Sequence, residues 1–129
     1  MSVQQGTFDT QQLAGQVAVV TGAGNNGIGW GICRYVADQL KMHVMIIDLH
    51  EHLVQSAVDR LRSEFPAVMV EGLQCDVTKP EDMHSAARQV SVSFPGKDIG
   101  AVFANAGVIF NKTIMNSPVA HWRSTLDVN

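Results

Sequence analysis

Five glycines fall within ten residues of the stretch VVTGAGNNGIGWG (Val19–Gly31): Gly22, Gly24, Gly27, Gly29 and Gly31. Glycine at this density lets backbone amides approach a ligand closely, and the unshielded N–H groups at a helix start favour phosphate. Two phosphate templates fit the same residues. Read as G-x-x-x-x-G, Gly22 to Gly27 opens like a P-loop; read as G-x-G-x-x-G, Gly22, Gly24 and Gly27 form a dinucleotide fingerprint. A P-loop needs Lys and then Ser or Thr after its last glycine, to reach the terminal phosphates and Mg²⁺, and this chain has Ile28 and Gly29 there. The loop, with Asn25 and Asn26 between its glycines, carries no cation. Its hold on phosphate therefore rests on backbone amides and a helix N-terminus, which suits a diphosphate bridge bound without metal. In this reading Gly22 makes the tight turn, Gly24 and Gly27 let the backbone approach the ligand, and Gly29 lets the helix pack on the strand.

A second candidate is Asp48, 21 residues after Gly27 at the end of an apolar run. A carboxylate there can accept both hydroxyls of an adenosine ribose; its plain structural alternative is a helix N-cap. His50, Glu51 and His52 lack the i, i+4 spacing of a helical zinc site and read as a solvated helix start, so no metal is expected. His43, His84 and His121 are scattered, and Met42, Met45 and Met69 read as core filler.

The elements that must position these residues alternate strand and helix. QVAVVT (16–21) and HVMIID (43–48) are short apolar runs typical of buried strands. AVMVEGLQCD (67–76), interrupted by Gly72, and IGAVFAN (99–105) are the third and fourth. Ile28, Ile32, Val36 and Leu40 predict a helix from about Gly27 to Lys41; Leu53, Ala57, Leu61 and Phe65 predict a second, stopped by Pro66. Thr78 and Glu81 have capping-box spacing, with Pro80 in the first turn and Met83, Ala87, Val90 and Phe94 as the buried stripe of a third helix. Ser117-Pro118 opens a fourth, with Val119, Trp122 and Leu126 on its apolar face. The β-α-β-α-β-α-β order predicts an α/β fold: a doubly wound parallel sheet with strand order 3-2-1-4 and right-handed crossovers. Residues 1–14 read as a flexible lead-in and 15–129 as one nucleotide-binding domain, incomplete as a doubly wound fold.

Composition narrows the function. The chain has 129 residues, 46% hydrophobic and 16% charged, with a formal charge of −3, the profile of one globular domain. No Lys/Arg cluster points to nucleic acid or an anionic membrane surface, and no apolar run approaches membrane-spanning length. The N-terminus lacks the basic and apolar regions of a secretory signal, and Cys33 and Cys75 read as reduced core thiols, so the expected location is cytoplasmic.

With four motifs in order along its length, the chain resembles the short-chain dehydrogenase/reductase family. Thr21-Gly22…Gly27-Ile28-Gly29 is similar to its cofactor loop, and Asp76-Val77 to its adenine-contacting pair. Asn105-Ala106-Gly107 is similar to its N-A-G motif, which braces the sheet beside the cofactor, and TLDVN, ending in Asn129, to the segment bearing its catalytic asparagine. The resemblance implies a Rossmann-like, NAD(P)-binding domain and hydride transfer to or from a carbonyl or alcohol substrate. It also leaves room for a homo-oligomer.

The sequence departs from the family in two places. Its loop has four residues between Gly22 and Gly27 where the family's commonest loop has three. The family's Ser and Tyr-x-x-x-Lys are absent: the single tyrosine, Tyr35, is followed at the fourth position by Gln39 and reads as core packing. Three functions stay open: the cofactor-binding part of an oxidoreductase, a non-catalytic truncated cofactor-binding or interaction module, and another nucleotide-site enzyme such as a methyltransferase. Trp30-Gly31-Ile32 after the loop keeps an enoyl-thioester reductase branch as a minor alternative. NAD(H) is favoured over NADP(H), because Asp48 would repel a 2′-phosphate and no Arg or Lys lies in the loop or at Leu49-His50 to receive one.

Overall fold

The structure, a computed structural model, describes residues 9–129. Four parallel strands, β1 (Val17–Thr21), β2 (His43–Asp48), β3 (Val70–Gln74) and β4 (Ile99–Phe103), lie in the order β3-β2-β1-β4. The expected 3-2-1-4 topology is therefore present. Helices α1 (Ile28–Asp38), α2 (Glu51–Glu64) and α3 (Pro80–Ser93) make the crossovers, and α4 (Val119–Val128) follows β4. β1 is buried along its whole length, as a central parallel strand must be. Both its neighbours run in register with it, apart from an irregularity towards β4 between Val17 and Ala18.

The sheet separates two apolar layers. On one face α1 and α2 pack Trp30, Cys33, Val36, Val54, Ala57 and Leu61 onto Ala18, Val20, Val44 and Ile46. On the other, α3 packs Ala86, Val90 and Phe94 onto Val17, Val19, Met45 and Ile47. Gly72 belongs to β3 after all: Val54 and Val58 of α2 occupy the space its Cβ would need. Met42 and Met45 are fully buried, as expected, whereas Met69 is 38% exposed. Of the expected lead-in, residues 1–8 lie outside the described residues; Thr10–Leu13 form a 3-10 turn capped by Asp9, with Leu13 against the core.

Several helical expectations need correction. Of the stripe Ile28-Ile32-Val36-Leu40, Val36 is buried and Ile32 and Leu40 pack partly buried against the core, but Ile28 is 80% exposed, and the fully buried face of α1 is Gly29, Trp30, Cys33, Val36 and Ala37. A residue every fourth position advances about 40° around the helix at each step, so a strict i, i+4 series spirals off any face. The same drift misplaces Ala87 of α3, where Ala86 is buried instead. Thr78 and Glu81 form no capping box. Lys79 is the N-cap and makes no side-chain cap bond, Thr78 pairs with Asp76, and Asp82 accepts the Asp76 amide at 3.0 Å. Tyr35 is exposed rather than core, and so are Val119, Trp122 and Leu126 of α4. Among the described residues no helix is long and apolar enough to cross a membrane.

Candidate functional site

The carboxyl ends of parallel strands in a doubly wound sheet form the natural crevice for a ligand, and the sequence motifs meet there. β1 ends in Thr21, and Gly22 turns the chain with φ +66°, a conformation a side chain resists. A Cβ on Gly22 would also lie 2.7 Å from Ala106 Cα. The turn is braced from below. Thr21 Oγ1 accepts the amides of Asn105 and Ala106, both at 3.1 Å, and Asn105 Nδ2 donates to Thr21 O at 3.0 Å and Gly22 O at 3.3 Å. Thr21 is 5% exposed, so these bonds are shielded from competing water. Gly29 lets α1 close on this brace, since its Cβ would fall 2.6 Å from Asn105 Nδ2.

The loop then crosses to β2. Gly24 donates its amide to Asp48 Oδ2 at 2.9 Å, and a Cβ at Gly24 would press on Asp48 and Leu53. Asp48 does not cap α2: His50 holds the N-cap, and no side chain caps that helix. Gly27 is the N-cap of α1 and likewise brings no side-chain acceptor, so the first amides of α1 are left for a ligand or water. Asp76 sits at the far wall. Its Oδ1 accepts the Thr78 hydroxyl at 2.7 Å and the Thr78 amide at 3.0 Å, and these bonds, helped by Lys79, hold its carboxyl below the usual aspartate range.

These groups surround one cleft of about 400 Å³. Gly22, Asn25, Ile28, Asp48, Asp76, Val77, Asn105, Ala106 and Gly107 line it. Thr21, Gly24, Asn26, Gly27 and Gly29 do not; they shape the loop from behind or beside it. The sequence reading missed Leu49, His50, Cys75, Val108 and Val128 as lining residues. Leu49, Cys75 and Val108 each adjoin a motif residue, and His50 lies two beyond Asp48, so counting two neighbours either side of each motif would have found all four. Val128 comes in with α4, which no local pattern foretells. Asn129 does not open onto the cleft; its Oδ1 accepts the Val108 amide at 2.8 Å and its Nδ2 donates to Val108 O at 3.0 Å, tying α4 to the segment after β4. Burial pushes the Cys33 thiol up to about 12 and raises that of Cys75, so both are poor nucleophiles. Among the described residues no group of His, Cys, Asp or Glu could hold a metal ion.

A parallel 3-2-1-4 sheet, a glycine turn at the end of its central strand and an acid at the end of the next define a dinucleotide-binding α/β protein of Rossmann type. Comparison with known proteins agrees: residues 16–129 match the short chain dehydrogenase family model. The chain belongs to that family. It is 30% identical over 117 residues to an uncharacterized oxidoreductase of Staphylococcus aureus (strain MRSA252), covering 91% of this chain and 47% of that protein. The crystal structure of L-sorbose reductase from Gluconobacter frateurii, complexed with NADPH and L-sorbose, superposes with a TM-score of 0.76 at 30% identity, over 90% of this chain and 42% of that one. A short chain dehydrogenase/reductase from Burkholderia phymatum in complex with NAD gives a TM-score of 0.79 at 28% identity, over 90% and 39%. The chain thus spans less than half the length of these relatives. The comparisons give no support to the enoyl-thioester branch.

Proposed function

We propose that this chain is the nicotinamide-cofactor-binding part of an oxidoreductase that exchanges hydride with a carbonyl or alcohol substrate. The observation that carries the reading is the convergence of the Gly22 turn, the uncapped start of α1, Asp48 and Asp76 on one cleft. The residues fit such a cofactor: Asp48 and Asp76 line the cleft with carboxylates, and the start of α1 presents amides without a competing side-chain acceptor at Gly27. Gly22 to Gly29, with Asn25, Asn26 and Ile28, hold the diphosphate. Asp48 takes the ribose hydroxyls, and Asp76 and Val77 take the adenine. Thr21, Asn105, Ala106 and Gly107 keep the cradle in shape. The nicotinamide, when bound, supplies or accepts the hydride.

NAD(H) is preferred to NADP(H), because Asp48 faces the place where a 2′-phosphate would enter. Asn129, the candidate catalytic asparagine, supports the site by fixing Val108. The two buried thiols suit a reducing, cytoplasmic setting. Titration of the chain with NADH and NADPH, read by cofactor fluorescence, tests the reading. Saturable NADH binding that Asp48→Ala weakens is expected; absence of binding to either cofactor overturns it.

A further inference from the structure

Beside the cleft, a cation from α2 reaches the glycine loop. Arg60 Nη1 donates to Asn26 Oδ1 at 2.7 Å, and its guanidinium carbon lies 4.2 Å from the centre of the Trp30 ring. Trp30 is 8% exposed and anchored in the core, so it offers a fixed platform that limits the positions the guanidinium can take. Arg60 has no carboxylate within 4 Å among the described residues, whereas Arg34 and Arg62 pair with Glu64 and Glu71. Asn26 does not line the cleft; it stands between Asn25, which does, and Gly27, which starts α1.

We infer that Arg60 is a positioning residue for the cofactor, acting through Asn26. The four residues between Gly22 and Gly27 are held at two points. Gly24 is tied to Asp48 at the end of β2, and Asn26 is tied to Arg60 on the helix that follows. Asn25 lies between the two ties and lines the cleft. Without the second tie the loop amides lose the fixed orientation that makes them a phosphate cradle, because preorganised donors bind better than donors that must first be ordered. The inference rests on the cofactor reading above.

The test compares the full chain with Arg60→Met, Arg60→Lys, Asn26→Ala and the double variant Arg60→Met/Asn26→Ala. Three readouts are taken: amide hydrogen exchange at Asn25–Gly27 without cofactor, the Kd for NADH, and the melting temperature. Arg60→Met should speed loop exchange and weaken NADH binding by about five- to tenfold, the scale of the net contribution of one ordinary hydrogen bond, with β1 amides and melting temperature nearly unchanged. Asn26→Ala should match it, the double variant should be no worse than either single one, and Arg60→Lys should recover part of the affinity. Additive single effects, or unchanged loop exchange in Arg60→Met, overturn the proposal. Loop exchange that responds to Arg60→Met in a chain that binds no NADH leaves the tie standing and fells the cofactor reading. Should Arg60→Met fail to fold, Asn26→Ala carries the same test.

Discussion

Replacing Asp48 by Asn separates the charge that selects a cofactor from the hydrogen bond that shapes the loop. In the wild type Asp48 Oδ2 accepts the Gly24 amide at 2.9 Å, and the side chain is half-buried against the cleft. A 2′-phosphate placed there meets like charge in a partly wet site. Two unit charges roughly 4 Å apart repel by about 1 kcal/mol in water and about 4 kcal/mol at an effective dielectric near 20. Partial burial puts this site between these limits, so the expected penalty is about 1–3 kcal/mol, a preference for NADH of roughly tenfold to hundredfold. Asp48→Asn keeps an acceptor for Gly24 and removes the charge. The NADH-to-NADPH affinity ratio should fall about tenfold while the urea midpoint stays in place. Asp48→Ala should flatten the ratio and also cost about 1–3 kcal/mol of stability, because the part-buried Gly24 amide loses its acceptor. Fluorescence titration of both cofactors at low and high salt measures this, and screening should shrink the wild-type ratio at high salt. Tighter NADPH than NADH binding by the wild type, or an unchanged ratio in Asp48→Asn, would refute the reasoning.

Three further outcomes are expected. Thr21→Val leaves the Ala106 amide without an acceptor under a nearly isosteric side chain, while the Asn105 amide keeps Phe103 O at 2.9 Å, so urea denaturation should show a loss of about 1–3 kcal/mol; a loss below about 0.5 kcal/mol would count against the brace. His43 accepts the Met69 amide through Nδ1 at 2.9 Å, and burial, with Lys97 nearby, lowers its pKa below 6.5. The unfolded chain then binds the extra proton first, so this stability is present above pH 6.5 and lost as pH falls towards the folded value; melting temperature against pH should be shallower in His43→Gln, and identical slopes would rule the residue out. With no Tyr-x-x-x-Lys in its 129 residues, this chain should leave NADH absorbance flat against a panel of ketones and aldehydes; reproducible turnover abolished by Asn129→Ala would show that another group does the chemistry.

The sheet order and the glycine turn were legible because both are written locally. β-branched runs mark strands, and a glycine cluster followed by an acid at the next strand's end marks a phosphate turn. Asp48, Asp76 and Asn105 face one cleft because parallel topology puts all strand ends on the same side. The buried faces of the helices were less legible, since a stripe needs steps of three and four in alternation and the neighbouring sheet decides where it begins. Trp30, not Ile28, is the residue α1 buries on the Arg60 side. The Arg60–Asn26 and Asn129–Val108 ties were out of reach, because each joins residues more than 20 positions apart through geometry that no spacing rule encodes.

The brace between Thr21 and Asn105 also bears on how the molecule assembles. The residues it joins are 84 apart in the chain, and every bond in it waits for β4 to dock beside β1. Closing a loop of that length costs on the order of 4 kcal/mol in chain entropy before any contact offsets it. While the chain is being synthesised, β1, β2 and the glycine turn therefore emerge with nothing beneath them, and Gly22 has no Ala106 to rest against. The cradle cannot become rigid before β4 has docked beside β1. On the proposed cofactor reading, a dinucleotide would stabilise only molecules that have completed this closure, and would add to the folded fraction in proportion to its occupancy.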